Sequence, residues 1–363
     1  MSCPADFTQD WLAAFRARAA RTRTPVAVLF ELTRRCNLRC VHCYLGDQIA
    51  QHRRQAEELS TPAIKEAMAE WVAAGCLTMT LTGGEPLLHP DFAEIYRHAR
   101  ELGLVVTVFT NGTLVTPETV SLFQEFPPRK VEISLYGATA ATHDRVTGQP
   151  GSHARAWAGI RRLLAGGVRV ELKSVLLTLN RHELDALEAQ ARECGVPFRH
   201  DAAIFPRLAD GSPEPLTLRV PPAEAVAADL ATPERRSRWR EKINRTAELP
   251  ESDRLYPCTA GQTSFHADPF GGVSPCLLAT DFYCAPSARS FARVWAEDLG
   301  AIRQCRRTRP DGSLVGPARG ACTHCPAVNR LETGAPEVES DYARATTRLR
   351  HAAAQQAETG DAP

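Results

Sequence analysis

Cys36, Cys40 and Cys43 stand within eight residues of one another in Cys36-Asn-Leu-Arg-Cys40-Val-His-Cys43-Tyr44, directly after an apolar run at 26–32. A loop leaving a strand end can turn three thiols toward one soft metal centre, and thiolates are the ligands such a centre takes. A closed zinc site needs four protein ligands, so His42 or a remote residue would have to complete it. Three thiolates alone suit an iron–sulfur cluster with one iron open to another ligand. A structural zinc knuckle and three inert reduced thiols stand beside the cluster reading on spacing alone.

About forty residues on, Thr80-Leu-Thr-Gly83-Gly84-Glu85-Pro86 closes another β-like run. The two motifs together, C-x3-C-x2-C-Y and G-G-E-P, resemble the radical SAM superfamily. The resemblance implies that Cys36, Cys40 and Cys43 hold a [4Fe-4S] cluster, that S-adenosylmethionine chelates its fourth iron, and that the Gly83–Pro86 turn contacts the methionyl amino group. It also places Tyr44, Glu85, Asn111, Ser134 and Arg145 at the cofactor, with Ser134 near its polar groups and Arg145 near its carboxylate. A guanidinium beside a carboxylate is a sound bidentate pair, although Asn-Gly is common in turns and loop arginines are usually solvated. Because glycine allows close backbone approach, Gly84→Val is expected to weaken cofactor binding while sparing the iron.

The elements that must position these residues are legible as an alternation. Strand-like runs lie at 28–32, 77–81, 105–109, 131–135, 168–177 and 198–205, with helical patterns at 61–74, 91–102, 117–126, 152–165 and 181–194. Ser60 and Thr61 before Pro62 read as a helix start, and Gly75, Gly103, Gly166 and Gly195 as stops. Six β-α repeats predict an α/β fold with a partial (β/α)6 TIM-like barrel, and both motifs then fall at strand carboxyl ends, where parallel architectures hold their chemistry. Lys173 lies in the fifth run, where strand alternation leaves it facing the barrel mouth or solvent.

The 363 residues carry 43 Lys+Arg against 42 Asp+Glu, a formal charge of +1 that gives no bulk attraction to nucleic acid or to an anionic membrane. No stretch approaches the roughly 20 apolar residues of a membrane span, and no signal peptide opens the chain. Twelve cysteines in two groups read as metal ligands in a reducing, cytoplasmic setting more than as a disulfide framework. Cys3, Cys76 and Cys194 match no motif.

The expected organisation is an N-terminal helical arm at 1–27, the barrel at 28–206, a linker and helix at 207–256, a smaller domain at 257–340, and a C-terminal helix and tail at 341–363. The arm puts Trp11, Leu12 and Phe15 on one face and arginines on another, as a helix packed on the domain edge or one that docks a partner would. In the smaller domain, Asp268-Pro269-Phe-Gly271-Gly272-Val-Ser-Pro275-Cys276 reads as a β-hairpin that returns Cys276 toward Cys258, and Cys322-Thr-His-Cys325 follows. This block resembles the SPASM or twitch extension of radical SAM enzymes, with fewer cysteines than the full SPASM pattern. The resemblance implies one auxiliary [4Fe-4S] cluster on Cys258, Cys276, Cys322 and Cys325, with Cys284 or Cys305 able to replace one of them.

The function so implied is reductive cleavage of S-adenosylmethionine to a 5′-deoxyadenosyl radical that modifies a side chain of a ribosomally made peptide or protein, by cross-linking, oxidation or epimerisation. A flavodoxin- or ferredoxin-type electron donor, and a separate peptide-recognition protein, are the partners expected. Two alternatives stand: a radical enzyme acting on a small molecule such as a tetrapyrrole, sugar or cofactor precursor, and a non-enzymatic iron–sulfur electron carrier.

Overall fold

The structure, a computed structural model, describes residues 5–248, 252–285, 289–309, 317–322 and 325–356; Cys3 and the end of the C-terminal tail lie outside them. Helix α1 (Ala5–Thr22) leads into β1 (Ala27–Thr33), and α2 (Gln48–Arg53) and α3 (Thr61–Ala73) lead into β2 (Thr78–Gly83). The alternation continues through α4 (Phe92–Glu101), β3 (Val105–Thr110), α5 (Pro117–Glu125), β4 (Lys130–Ser134), α6 (Ala140–Thr147), α7 (Ser152–Ala165), β5 (Val170–Val175), α8 (Leu184–Glu193) and β6 (Phe198–Asp201). Beyond them lie α9 (Pro222–Asp229), α10 (Pro233–Glu248), β7 (Ser264–Ala267), β8 (Val273–Ser274), α11 (Phe291–Glu297), α12 (Pro326–Thr333) and α13 (Asp341–Gln356).

Local chemistry accounts for the helix starts. The Ser60 side chain accepts from the Ala63 amide with proline next in line, and Thr116 and Thr119 close a reciprocal capping box; each satisfies amides that have no partner inside the helix. The five expected helices and six expected strands all form. Helix α6 does not follow from the pattern: it is one short amphipathic segment begun by Thr139, whose hydroxyl accepts from the Thr142 amide.

β1 to β6 pair in parallel in sequence order. Their alternate side chains divide the molecule. Phe30, Leu81, Val108, Ile133 and Leu172 face the helices and are at most 1% exposed, packing against residues such as Ile64, Met68, Ile95, Ile160 and Leu163. Burial of each such side chain contributes about 1.5–3 kcal/mol. The opposite faces carry Glu31, Thr107, Phe109, Glu132, Ser134, Lys173 and Asp201 into the concave side, which is therefore polar.

The hairpin of the smaller domain extends the barrel sheet. β7 pairs in parallel with β1 on the side away from β2, setting Phe265 beside Val28 and His266 beside Leu29, and β8 returns antiparallel. The sheet thus has eight strands in the order β6-β5-β4-β3-β2-β1-β7-β8. The expected boundary at 257 does not interrupt it. An aromatic cluster seals the join: Trp71 of α3 meets Phe30, Phe265 and Phe291 edge-on at 5.3, 5.6 and 6.5 Å, and the Phe265 and Phe291 rings are 4.6 Å apart.

Helix α1 packs through its last turn. Ala19 is buried while Trp11 is 61% exposed, and Arg23 just beyond the helix donates to the Trp295 carbonyl at 2.9 Å. Among the described residues no helix is long and apolar enough to cross a membrane.

The aromatic join yields a stability prediction. Trp71→Ala should cost about 3–5 kcal/mol in urea denaturation and expose the second domain to proteolysis before the barrel. A loss under about 1 kcal/mol would mean that the two parts are held together elsewhere.

Candidate active site

Because the strands are parallel, the exits of β1 to β5 meet on one edge of the sheet. β1 leaves through Thr33, Arg34 and Arg35 into the cysteine loop; β2 leaves through Gly83, Gly84 and Glu85. The two exits are laced together by main-chain bonds, Gly84 N–H to the Thr33 carbonyl at 2.8 Å and Glu85 N–H to the Arg35 carbonyl at 2.9 Å. No side chain fits between them: a Cβ on Gly83, whose φ is +127°, would lie 2.0 Å from the Thr33 oxygen, and one on Gly84 would lie 2.2 Å from that of Arg35. The glycines are required by the stem of the cysteine loop itself.

Glu85 fixes the next layer. Its carboxylate is fully buried and accepts from the Thr110 hydroxyl at 2.7 Å, the Asn111 amide at 2.7 Å and the Leu87 amide at 3.1 Å. Burial raises its pKa to about 7 against the opposing pull of those donors. Its oxygens are thus spent on the ends of β2 and β3, and the edge left toward a ligand at Gly83–Pro86 is main chain, with Pro86 buried as the start of a short 3-10 turn. Asn111, so placed, donates to Asn37 Oδ1 at 2.9 Å and points Nδ2 at Cys36 Sγ, 3.8 Å away.

The far side of the loop is held by α6, where Arg39 N–H and Val41 N–H donate to the Thr147 and Val146 carbonyls at 2.9 and 3.0 Å. His52 Nε2 lies 3.1 Å from the Cys36 carbonyl. All three thiols are half-buried. Burial, with the Glu85 charge behind it, pushes Cys36 up to about 12; burial and the charges of Cys43 and Cys36 raise Cys40; burial raises Cys43. The charges of neighbouring thiols add to the burial that holds Cys36 and Cys40 protonated. Among the described residues no three His, Cys, Asp or Glu side chains converge tightly enough for a single metal ion. A closed zinc site would need a fourth protein ligand, whereas three thiolates of one loop suit a cluster that keeps one iron open. His42, the candidate fourth zinc ligand, packs its ring 4.7 Å from that of Tyr136.

Below the loop the concave face presents the other candidates. Tyr44 donates to Glu31 Oε1 at 3.1 Å. Burial would raise Glu31, but His266 and Arg34 outweigh it and hold the carboxylate below its ordinary range. Ser134 ends β4 and bonds the side chain of Tyr136, which burial and the neighbouring thiols raise. Arg145 lies exposed on α6, its guanidinium paired with no carboxylate among the described residues. Of the cations on the concave face, Lys173 lies opposite Ser134 in the sheet register. Its ammonium stands 3.5 Å over the Phe109 ring, lowered to about 8 by burial. Alternation placed Lys173 on one of two faces; the pairing with β4 and β6 selects the inner one. Glu31 and Tyr136 could have been found from the same alternation and from the residue following the β4 exit.

In the second part, Cys276, Cys305 and Cys325 pack on one apolar patch formed by Leu255, Tyr256, Ala260, Ala279, Ile302 and Ala327. Cys258, exposed, is close enough to act electrostatically on Cys276 and Cys325. Cys284 lies elsewhere, bridged to Val273 beside β8 and packed on the main core. Cys322 sits on a turn against α10, beside Lys242. The hairpin turn reaches the first site: Asp268 accepts from the Tyr283 hydroxyl at 3.0 Å and lies 3.6 Å from Arg34, next to the cysteine loop.

A family model described as the radical SAM superfamily matches residues 30–190. The "AdoMet-dependent heme synthase" of Methanosarcina barkeri is 35% identical over 52% of this chain and 53% of its own length. A "PqqA peptide cyclase" of Rhodopseudomonas palustris is 29% identical over 75% of this chain and 73% of its own length. The "Mycofactocin maturase MftC" of Mycobacterium tuberculosis is 28% identical over 83% and 76%. The chain thus spans about half the length of the first of these relatives. Among solved structures, Streptococcus suis SuiB bound to precursor peptide SuiA superposes with a TM-score of 0.69 at 17% identity, over 95% of this chain and 82% of that one; this likeness is one of fold.

The close approach at Gly84 changes what its substitution should do. A valine there must push the Arg34–Arg35 backbone aside, so Gly84→Val should lose iron from the Cys36 loop together with cofactor binding, and the expectation that iron is spared does not follow from this geometry. Iron analysis after anaerobic reconstitution checks it; full iron with lost cofactor binding would show that the strap can move without the loop.

Proposed function

We propose that this chain, which belongs to the radical SAM superfamily, cleaves S-adenosylmethionine reductively and modifies a side chain of a ribosomally made peptide. One observation carries the reading: the Cys36, Cys40 and Cys43 loop is locked by main-chain bonds to the Gly83–Glu85 strap, over a polar concave face at the carboxyl ends of six parallel strands. The three thiolates would hold a [4Fe-4S] cluster, which supplies the electron that splits the bound sulfonium and so yields the 5′-deoxyadenosyl radical.

The remaining work belongs to the protein. Main-chain groups of Gly83, Gly84 and Pro86 would meet the methionyl amino group, with Glu85 acting from behind by holding Asn111 toward Cys36. Ser134 and Tyr44 would contact the cofactor's polar groups. The cofactor's carboxylate needs a cation, and in this reading Lys173 supplies it from inside the barrel, whereas Arg145 would have to swing in from the surface. Enclosure by the barrel keeps water from the reactive carbon. Cys258, Cys276, Cys322 and Cys325 would hold an auxiliary cluster, at residues 257–340, to take up or return an electron.

The peptide reading is favoured by extent. The cyclase and the maturase match across both parts of this chain, while the heme synthase match covers 52% of it. That match, the more identical of the three, is the specific support for the second reading, a tetrapyrrole or similar small molecule. An electron carrier would have no use for a strap built against the cysteine loop. A flavodoxin- or ferredoxin-type donor and a separate peptide-recognition protein complete the proposed set of partners.

The test is anaerobic incubation of the reconstituted protein with dithionite, S-adenosylmethionine and short peptides encoded beside its gene, followed by mass spectrometry. Release of 5′-deoxyadenosine with a defined mass change in one peptide is the expected result. Turnover of a tetrapyrrole with every peptide unchanged would establish the second reading instead, and absence of 5′-deoxyadenosine would exclude both.

A further inference from the structure

We propose that Phe270, at the tip of the β7–β8 hairpin, is a positioning residue for the catalytic cluster: its ring fastens Arg34 and Arg54, which lie at the two ends of the segment that carries Cys36, Cys40 and Cys43. The proposal rests on the reading of that segment as the cluster loop and adds what keeps the loop closed.

The guanidinium carbon of Arg54 stands 4.0 Å from the centre of the Phe270 ring, and that of Arg34 stands 5.3 Å from it. A cation over an aromatic face is attracted by the negative potential of the ring. Phe270 enters none of the apolar clusters formed by the described residues, so contact with cations is what its ring supplies here. The main chain of the turn presents it firmly. Asp268, 2% exposed, accepts from the Phe270 and Gly272 amides at 3.0 and 2.8 Å through one oxygen and from the Tyr283 hydroxyl at 3.0 Å through the other. Leu59 N–H donates to the Pro269 carbonyl at 2.7 Å, which ties the same turn to the chain just beyond Arg54.

Each arginine is in turn tied to the loop. Arg34 stands two residues before Cys36, and its guanidinium meets Glu31 at 3.0 Å, the carboxylate to which Tyr44 donates at 3.1 Å. Arg54 caps the carboxyl end of α2, whose side chains hold the loop from its other end. His52 Nε2 lies 3.1 Å from the Cys36 carbonyl, and Gln51 Nε2 donates to the Leu45 carbonyl at 3.0 Å. One ring therefore fastens both the stem before the first thiol and the helix after the last.

Such a fastening acts on local opening. The segment from Arg34 to Arg54 must open before a chelator reaches iron held by its thiolates, and both ring contacts are broken in that opening. Arg54 also pairs with Glu57 at 2.8 Å and Arg34 with Asp268 at 3.6 Å, so each guanidinium keeps a carboxylate when the ring is removed. Leucine at 270 keeps apolar bulk without an aromatic face. Tyrosine keeps the face.

The experiment uses the full chain, reconstituted anaerobically and reduced with dithionite, and follows the EPR signal that changes when S-adenosylmethionine is added, which belongs to the cluster with an open iron. Its decay under the ferrous chelator 2,2′-bipyridine is compared among the wild type, Phe270→Leu, Phe270→Tyr, Arg54→Met and the Phe270→Leu, Arg54→Met double variant, each shown to be folded by circular dichroism. Phe270→Leu should lose the signal about five- to tenfold faster than the wild type, and Phe270→Tyr at the wild-type rate. Arg54→Met should accelerate the loss less in the Phe270→Leu protein than in the wild type, the mark of residues that act through one another. Should Phe270→Leu fail to fold, Phe270→Met takes its place with the same expected rate. A Phe270→Leu rate within about twofold of the wild type, equal acceleration in Phe270→Tyr, or fully multiplicative effects of the two substitutions would each overturn the proposal and leave the cluster assignment standing. A wild type without an S-adenosylmethionine-responsive signal would overturn the reading of the loop itself, and the proposal with it.

Discussion

Two main-chain hydrogen bonds, from the Gly84 and Glu85 amides to the Thr33 and Arg35 carbonyls, hold the exits of β1 and β2 together, and the rest of the site depends on them. They place the stem of the cysteine loop against a strap that no side chain can separate. A cluster ligated by three thiolates of one loop needs that loop fixed before iron arrives, since three mutually repelling thiolates would otherwise spread. The buried Arg35–Glu58 pair, 2.9 Å apart, and the α6 carbonyls that receive Arg39 and Val41 complete the hold. Removing one partner of such a buried pair costs far more than the pair itself adds.

The polar interior follows from the same strand alternation that builds the core. One face of each strand carries the apolar residues under the helices; the other carries charges that water would solvate in an open sheet. Lower in the barrel these charges neutralise one another, Lys130 with Glu132 at 2.6 Å and with Glu171 at 2.8 Å, and Arg199 with Glu132 at 2.5 Å. Lys173, one layer nearer the mouth, has the Phe109 ring beneath it and no salt bridge among the described residues. The register thus sets Lys173 level with Ser134. At the other wall, Glu31 is shared by Tyr44, Arg34 and His266, and Arg34 also meets Asp268. The cysteine loop and the hairpin of the second part are therefore joined through one charge network.

The sequence showed the architecture well where information was local. Ser60 before Pro62, the glycine stops and the β-branched runs each act within a few residues, and the strands and helices they mark all form. The cysteine and glycine motifs were legible for the same reason. What was hidden depends on contacts between distant segments. Nothing in residues 264–267 reveals that they pair with β1 in place of forming a separate sheet. Arg145 belongs to a helix too short for its period to be read, so its outward placement could not be seen. Glu85 had a motif but no visible partners: Thr110 and Asn111 reach it only after β2 and β3 are paired.

The claim on which the account stands is that Cys36, Cys40 and Cys43 hold the cluster that splits S-adenosylmethionine. It is tested most directly by 5′-deoxyadenosine release from the Cys40→Ala protein beside the wild type, under dithionite and with iron counted in both. The account predicts that the variant loses about four irons per chain and all 5′-deoxyadenosine formation, while its second domain keeps its own iron. Undiminished 5′-deoxyadenosine release by the variant would contradict it.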